Sequence, residues 1–149
     1  MGRTFHSPGG VGIYFSILLR PQCSPGELMH LTCATAVAMC DAVEAATGLR
    51  PGIKWTNDLV HNRKKLGGIL TELGLSAKGT VDYAIIGIGI NCCQQEGDFA
   101  EEISGIAASI SMVTGQDIDR AKVSAAMMDA LHQMDCGLLT EKKAMLARL

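Results

Sequence analysis

Strand-like segments fill the first two-thirds of this sequence and helix-like segments fill the last third, and this order limits the possible folds. Residues 11–20, VGIYFSILLR, and residues 81–91, VDYAIIGIGIN, are dense in apolar and β-branched residues, so both predict buried strands. Shorter strands are predicted over 52–55 and 66–73. Helices are predicted over 28–47, 103–114, 119–134 and 138–149, with Ser24 as a first cap, Gly48 ending the first helix and Asp117 or Asp119 capping the third. The order favours an α+β fold, with helices packed on one mixed, mainly antiparallel sheet.

Length and composition exclude several classes of protein. The chain has 149 residues, which suits one domain, and 19% of them are charged with a net charge of −2. No basic field predicts a nucleic-acid partner, and no apolar run approaches the ~20 residues of a membrane span. The six cysteines lack paired C-x-x-C spacing, and no secretory signal precedes them. We therefore expect free thiols and a cytoplasmic location.

The most charged stretch, KWTNDLVHNRKKLGGILTE over 54–72, predicts a hairpin. A turn at His61-Asn62 sets Asp58 opposite Lys65, and a turn at Asn62-Arg63 sets Val60 opposite Lys65. In either register Asp58 and Lys65 share one face, because side chains alternate with period two. The same alternation assigns Leu66, Gly68 and Leu70 to the opposite face. A surface ion pair alone would explain the two charges.

Four strand glycines near this pair indicate more than a surface ion pair. Gly67, Gly68, Gly87 and Gly89 lie inside predicted strands, where glycine is unfavourable unless something approaches the backbone closely. They predict a ligand lying flat on bare backbone, although bulges or tight sheet–helix packing would also account for them. GIGIN over 87–91 is not a G-x-G-x-x-G phosphate loop. Trp55, the only tryptophan, is expected in the core.

Four motifs carry a family resemblance. GRTFHSP, KWTNDL, RKKLGGIL and GIGIN occur in this order, and with them the chain resembles the biotin protein ligases, which attach biotin to carboxylase carrier domains. The resemblance implies a fold like that of class II aminoacyl-tRNA synthetases and biotin synthetases. It also implies ATP-dependent biotinylation of a carrier lysine through biotinyl-5′-AMP, with ATP, biotin and Mg²⁺ as cofactors. Residues 1–149 would then be a partial catalytic domain, without the family's N-terminal part and C-terminal β-barrel.

The resemblance assigns roles to particular residues. Lys65 matches the lysine that contacts the biotin carboxylate and the phosphate. Asp58 matches the aspartate near the reaction centre, and Arg3 matches the last arginine of a loop that folds over the adenylate. The implied biotin- and nucleotide-binding residues are Lys54, Asn57, Gly67, Gly68, Gly87, Gly89 and Asn91, and no metal ligand is implied. Two departures from the family pattern are Thr56 in place of proline and Phe5 in place of tryptophan.

The resemblance leaves alternatives. The implied partner is the biotin carboxyl carrier domain of a carboxylase. No nucleic acid is expected, since no helix-turn-helix precedes the domain, and no membrane is expected, since the sequence has no long apolar run. Strands missing from the sheet would leave an open edge, and an open edge can pair with a second copy of the chain. A non-catalytic, self-associating remnant of the same fold is therefore one alternative. A lipoate-type protein ligase is another, although KWTNDL followed by RKKLGGIL favours biotin.

Overall fold

The structure, a computed structural model, describes residues 7–21, 24–28 and 30–137. Five strands form one sheet in the order β1-β5-β4-β3-β2, and each neighbouring pair is antiparallel. The strands are β1 (Gly12–Leu19), β2 (Gly52–Lys54), β3 (Asp58–His61), β4 (Lys64–Leu75) and β5 (Val81–Asn91). An isolated parallel bridge joins Lys65 of β4 to Ala107, which lies outside the strands. The predicted α+β class is confirmed, and the sheet is antiparallel throughout its described strands.

Four helices follow or interrupt the strands in the described part of the chain: α1 (Leu31–Thr47), α2 (Glu101–Ser104), α3 (Ile110–Thr114) and α4 (Arg120–Gly137). Helix α1 packs on one face of the sheet, and α4 packs against α1 and reaches β1. The core between these layers contains fully buried side chains such as Met39, Leu66, Ile86, Ile90 and Met127. The opposite face of the sheet has no helix on it in the described residues, and Leu18 and Leu70 on that face are more than half exposed.

The first helix starts later than predicted. Pro25–Leu28 forms a short 3₁₀ turn, and α1 begins at Leu31 without a side-chain cap. Its end agrees with the sequence: Gly48 has a positive φ of 77°, and its amide bonds the carbonyl of Glu44. Glycine adopts this left-handed conformation without the steric cost that other residues meet, which explains why the helix ends here.

One predicted helix is wrong. The segment 103–114 forms two short helices, α2 and α3, because residues 106–108 hydrogen-bond to β4 instead of continuing a helix. Lys65 N donates to Ile106 O at 2.7 Å, and Ala108 N donates to Lys65 O at 3.0 Å. Ser109 then caps α3, its hydroxyl accepting from Met112 N. Asp119 caps α4 as expected, accepting from the amides of Ala121 and Lys122.

Two further expectations have clear outcomes. Trp55 is 68% exposed, so the prediction that it lies in the core is wrong. The four cysteines whose side chains are described, Cys33, Cys40, Cys92 and Cys93, are all free thiols, as predicted. None of the helices formed by the described residues combines the length and apolar character that crossing a bilayer requires. The helix predicted over 138–149 lies outside the described residues.

Candidate functional site

A row of paired residues with two glycines at its centre crosses the open face of the sheet. In register across the strands, Tyr14 pairs with Gly89, Gly89 with Gly68, Gly68 with Asp58, and Asp58 with Lys54. Directly paired residues point to the same face of a sheet. Tyr14 therefore stands at one end of a gap made by two glycines, and Asp58 stands at the other end. The next row, Ser16-Gly87-Leu70, contains a third glycine.

The gap widens into a hollow with a volume of about 490 Å³. This is within the range of roughly 300–1,000 Å³ that is common for small-molecule sites. The hollow is lined by residues of β1, β4 and β5 together with Asn57, namely Tyr14, Phe15, Ser16, Asn57, Lys65, Gly68, Ile69, Leu70, Gly87, Ile88 and Gly89. Its lining is mainly apolar, with one ammonium, one phenol, one hydroxyl and one carboxamide as polar groups. Such a lining suits a ligand that is mostly hydrocarbon and has a few polar atoms.

The hairpin that carries Asp58 and Lys65 uses the second of the two predicted turns. Asn62 and Arg63 both have positive φ, 47° and 66°, which is typical of a two-residue I′ turn. Val60 consequently pairs with Lys65 and His61 with Lys64. The Lys65 ammonium lies 2.6 Å from a carboxylate oxygen of Asp58, so the prediction that these two side chains share a face is confirmed.

A bulge in β4 corrects the predicted faces of that strand. The register shifts between Leu59 and Val60, so Leu59 pairs with Gly67 and the strand carries one extra residue at Leu66. Leu66 stays in the core, with 1% of its surface exposed, whereas Leu70 is 63% exposed. Gly68 and Leu70 therefore lie on the same face as Lys65. Strict alternation had predicted the opposite face for both residues, and that prediction is wrong. Without this bulge Gly68 would lie on the side of the sheet away from Lys65.

The four strand glycines consequently have two different roles. A Cβ added to Gly68 would lie 3.2 Å from Lys65 Nζ and 3.4 Å from Asp58 Oδ1, so Gly68 leaves room for the ion pair. Gly87 and Gly89 line the hollow beside it. A Cβ on Gly67 would instead lie 2.5 Å from the carbonyl oxygen of Gly89 and 2.7 Å from Ile90 Cδ1. Tight packing between β4 and β5 explains Gly67, so Gly67 is not part of the floor of the hollow.

The ion pair is partly solvated, and the backbone of Lys65 is firmly held. Side-chain exposure is 47% for Lys65 and 22% for Asp58, so the pair alone contributes about 0–1 kcal/mol to stability. The main chain of Lys65 is bonded on both sides by the segment 106–108, and Asn91 Nδ2 also approaches Lys65 O at 3.4 Å. A half-exposed ammonium on a fixed backbone remains available to an incoming anion.

Three other predicted residues have different surroundings. Asn57 lines the hollow, and its main-chain and side-chain groups both bond the backbone of Ile69, at 2.9 and 3.1 Å. Asn91 does not line the hollow; its Nδ2 bonds the carbonyl of Ala108 at 3.1 Å and so holds the segment beside Lys65. Lys54 is exposed at the end of β2, in register with Asp58 but outside the hollow's lining. Arg3 lies outside the described residues.

Sequence reasoning missed the contribution of β1. Tyr14, Phe15 and Ser16 line the hollow, and Gln94 lies behind Tyr14 with its Nε2 donating to the phenol oxygen at 2.8 Å. Burial raises the pKa of Tyr14, while the hydrogen bond from Gln94 acts to lower it. The sequence signal for this contribution is the alternation of side chains along residues 12–18, which assigns Tyr14 and Ser16 to one face of β1. That face can be placed at the hollow only when the register between β1 and β5 is known, and these strands lie far apart in sequence.

The described residues contain no group of three or more His, Cys, Asp or Glu side chains that could hold a metal ion by themselves. Asp58 is the carboxylate beside the hollow, and it is already paired with Lys65. A Mg²⁺ site built from one carboxylate and substrate phosphates needs no such protein cluster, because Mg²⁺ is commonly bound in this way. The residues present therefore fit an ion that arrives with a nucleotide.

Comparisons with known proteins agree with this geometry. Residues 1–91 match the model of the biotin/lipoate A/B protein ligase family. The bifunctional ligase/repressor BirA of Bacillus spizizenii is 46% identical over 123 residues, which are 83% of this chain and 38% of that protein. The biotin–[acetyl-CoA-carboxylase] ligase of Paracoccus denitrificans is 37% identical over 92 residues, 60% of this chain and 38% of that protein. The chain thus spans less than half the length of the curated relatives it matches.

A solved structure supports the same family. The biotin protein ligase of Aquifex aeolicus, in a complex with biotin and ATP, superposes with a TM-score of 0.66 and 33% sequence identity. The match covers 87% of this chain and 50% of that one. An identity above 30% over most of the present chain supports the family assignment as well as the fold.

Proposed function

The chain belongs to the biotin/lipoate A/B protein ligase family, and from this premise we propose that it is part of the catalytic domain of a biotin protein ligase. The proposed reaction is the ATP-dependent attachment of biotin to a lysine of a carrier protein, through biotinyl-5′-AMP. The similarity to ligases of Bacillus, Paracoccus and Aquifex supports this reaction. Because those proteins are longer, the activity of residues 1–149 by themselves is part of the proposal.

One observation carries the proposal: the Lys65 ammonium stands over bare backbone at Gly68, in a hollow of about 490 Å³ that Gly87 and Gly89 also line. Biotin is a polar cyclic urea fused to an apolar thioether ring, with a methylene tail and a terminal carboxylate. A flat floor without side chains suits the rings and tail, and the ammonium suits the carboxylate.

The first proposed step needs positive charge at this place. The biotin carboxylate oxygen attacks the α-phosphorus of ATP, the bond to the β-phosphate oxygen breaks, and pyrophosphate leaves. Two like unit charges 4 Å apart repel each other by about 4 kcal/mol at an effective dielectric constant of ~20. Lys65 offsets a repulsion of this size by facing both anions, and it gains most as charge develops in the transition state. Mg²⁺ bound with ATP would supply further positive charge on the phosphates.

The second proposed step needs a neutral amine. The carrier lysine attacks the acyl carbon of biotinyl-AMP, an amide bond forms, and AMP leaves. A free lysine has a pKa near 10.4, so at pH 7 nearly all of it is protonated and cannot attack. Asp58 stands beside the reacting end of the hollow, where its carboxylate could orient the amine or accept its proton.

Other residues receive narrower proposed roles. Asn57 lines the hollow and would position ligand atoms near Ile69, while Lys54 and Arg3 would add positive charge toward the phosphates. Asn91 would act on the nucleotide side by holding the 106–108 segment. Gly67 keeps β4 close to β5, and this packing supports the floor indirectly.

The proposed protein partner is the biotin carboxyl carrier domain of a carboxylase, as the name of the Paracoccus relative suggests. A cytoplasmic location and a homodimer formed through a sheet edge remain predictions. Within the described residues the edge strands are β1 and β2, which are therefore the strands to mutate in a test of dimerisation.

ATP–pyrophosphate exchange tests the proposed function. The 149-residue chain should exchange labelled pyrophosphate into ATP when biotin is present, and the rate without biotin is the control. Calorimetric titration with biotin, lipoate and ATP separates the alternatives. Heat with lipoate but not with biotin would favour a lipoate-type ligase, and no heat with any of the three would favour a non-catalytic member of the fold.

A further inference from the structure

A buried glutamine connects the two walls of the hollow. Gln94 has no exposed surface, and its Nε2 donates to Tyr14 Oη at 2.8 Å and to Asn91 Oδ1 at 3.1 Å. Asn91 Nδ2 in turn donates to Ala108 O at 3.1 Å and approaches Lys65 O at 3.4 Å. A chain of hydrogen bonds therefore runs from the phenol on β1, behind the hollow, to the main chain of Lys65 on β4.

The orientation of both amide groups follows from their partners. The two neighbours of Asn91 Nδ2 are carbonyl oxygens, which only accept hydrogen bonds, so the amide nitrogen of Asn91 must face them. Asn91 Oδ1 then faces Gln94, and Gln94 must present its own Nε2. Tyr14 Oη consequently accepts a hydrogen bond from Gln94, and the direction of every bond in the chain is fixed.

This orientation leaves one buried atom without a partner. Gln94 Oε1 is fully buried and has no hydrogen-bond partner among the described residues. A buried acceptor without a partner loses its hydration without compensation and therefore needs an explanation. The backbone of Gln94 is also held, because its carbonyl accepts from Ser109 Oγ at 2.7 Å. The side-chain orientation that lets Nε2 donate two hydrogen bonds is thus the one that leaves Oε1 without a partner.

We infer that Gln94 is a positioning residue, which fixes the Tyr14 phenol as a hydrogen-bond acceptor at one wall of the hollow and couples that wall to Lys65 through Asn91. Gln94 is absent from the lining of the hollow, so it acts only through these neighbours. The identity of the ligand that Tyr14 contacts rests on the proposed function. The arrangement of Gln94, Tyr14 and Asn91 does not depend on it.

The Tyr14 phenol provides a readout that requires no ligand. Burial raises its pKa and so does the nearby Cys92, whereas the hydrogen bond from Gln94 and the charge of Arg120 lower it. Removing the Gln94 donor should therefore raise the pKa of Tyr14 further. Gln94→Met keeps the length of the side chain, removes both donated bonds and also removes the unpaired Oε1, so the fold should tolerate it.

The experiment compares Gln94→Met with the parent chain and with Gln95→Met, a control at the adjacent, exposed glutamine. Tyrosine labelled with ¹³C at Cζ reports the pKa of Tyr14, and Tyr14→Phe assigns its signal against that of Tyr83. Calorimetry measures the affinities for biotin and for ATP. Gln94→Met should raise the Tyr14 pKa and weaken biotin binding about tenfold, and ATP binding should weaken as well, because Asn91 and Lys65 are coupled to Gln94. Gln95→Met should match the parent.

Each outcome decides the inference. An unchanged Tyr14 signal and pKa in Gln94→Met would overturn it, and so would an unchanged biotin affinity. If the parent chain binds no biotin, the proposed function fails, and the Tyr14 pKa alone still decides whether Gln94 holds the phenol.

A second measurement applies if Gln94→Met does not fold. The NMR signals of the Gln94 side-chain amide are then compared between the parent and Tyr14→Phe. A shift of these signals supports the contact, and no shift refutes it.

Discussion

Adding one methyl group at each of two adjacent glycines should have opposite consequences. Gly67 and Gly68 are neighbours in β4, and neither has the positive φ that would strain alanine. The bulge at Leu66 places Gly67 against β5 and Gly68 beneath the Lys65 ammonium. Gly67→Ala should therefore destabilise the fold, and Gly68→Ala should impair the reaction while the fold remains intact.

The structure sets the magnitude of each effect. The methyl of Gly67→Ala would lie 2.5 Å from the Gly89 carbonyl oxygen, a backbone atom that moves only if β4 and β5 separate. Overpacking of this kind costs about 1–3 kcal/mol, which corresponds to a lowering of Tm by roughly 2–12 °C for a domain of this size. The methyl of Gly68→Ala would lie 3.2 Å from Lys65 Nζ, the end of a flexible side chain. The ammonium can move by a few tenths of an ångström, so the change in stability should stay below about 1 kcal/mol.

The effect of Gly68→Ala should appear in the chemistry. A catalytic group displaced by about 1 Å can lose about a hundredfold in rate, so a displacement of a few tenths of an ångström should lower biotin-dependent pyrophosphate exchange by roughly three- to tenfold. Circular dichroism on heating measures Tm, and the exchange assay measures adenylate formation. If Gly68→Ala lowers Tm while Gly67→Ala keeps the Tm of the parent, the faces of β4 have been assigned the wrong way round. Full exchange activity in Gly68→Ala would refute the role of the glycine floor.

Three more predictions follow from the same site and from the core. Lys65→Arg keeps the charge but replaces a compact ammonium with a wide planar group, so pyrophosphate exchange should fall by at least about tenfold, and parental exchange would refute the role of Lys65. Asp58→Asn should leave exchange largely intact and slow transfer of biotin to a carrier lysine by roughly 10²–10⁴-fold in single-turnover assays; transfer at the parental rate would exclude a base role. Burial raises the pKa of the Cys92 thiol from 9.0 to about 12, so above pH 9 the unfolded chain releases a proton that the folded chain keeps. The free energy of unfolding should consequently fall as pH rises, and this thiol should account for about 1 kcal/mol between about pH 9 and pH 10. Urea unfolding measures this decrease, which should be smaller in Cys92→Ala.

Features that depend on neighbours along the chain could be predicted from the amino-acid sequence. The strand over 81–91 has the predicted bounds, because apolar and β-branched residues fill it without interruption. Gly48 ends α1 and Asp119 caps α4, since each acts on backbone within a few residues. The pairing of Asp58 with Lys65 also needed only a short turn and the alternation of a strand.

Tertiary structure decided everything that depends on contacts between distant segments. Tyr14 joins the site only through the register of β1 on β5, and Gly68 faces Lys65 only because of the bulge opposite Leu59. The segment 106–108 leaves a helical pattern to bond β4, a competing set of hydrogen bonds that no local propensity reveals. Local sequence fixes which residues form strands and turns, but the free energy of packing one strand against another fixes their register, and the register determines which side chains meet.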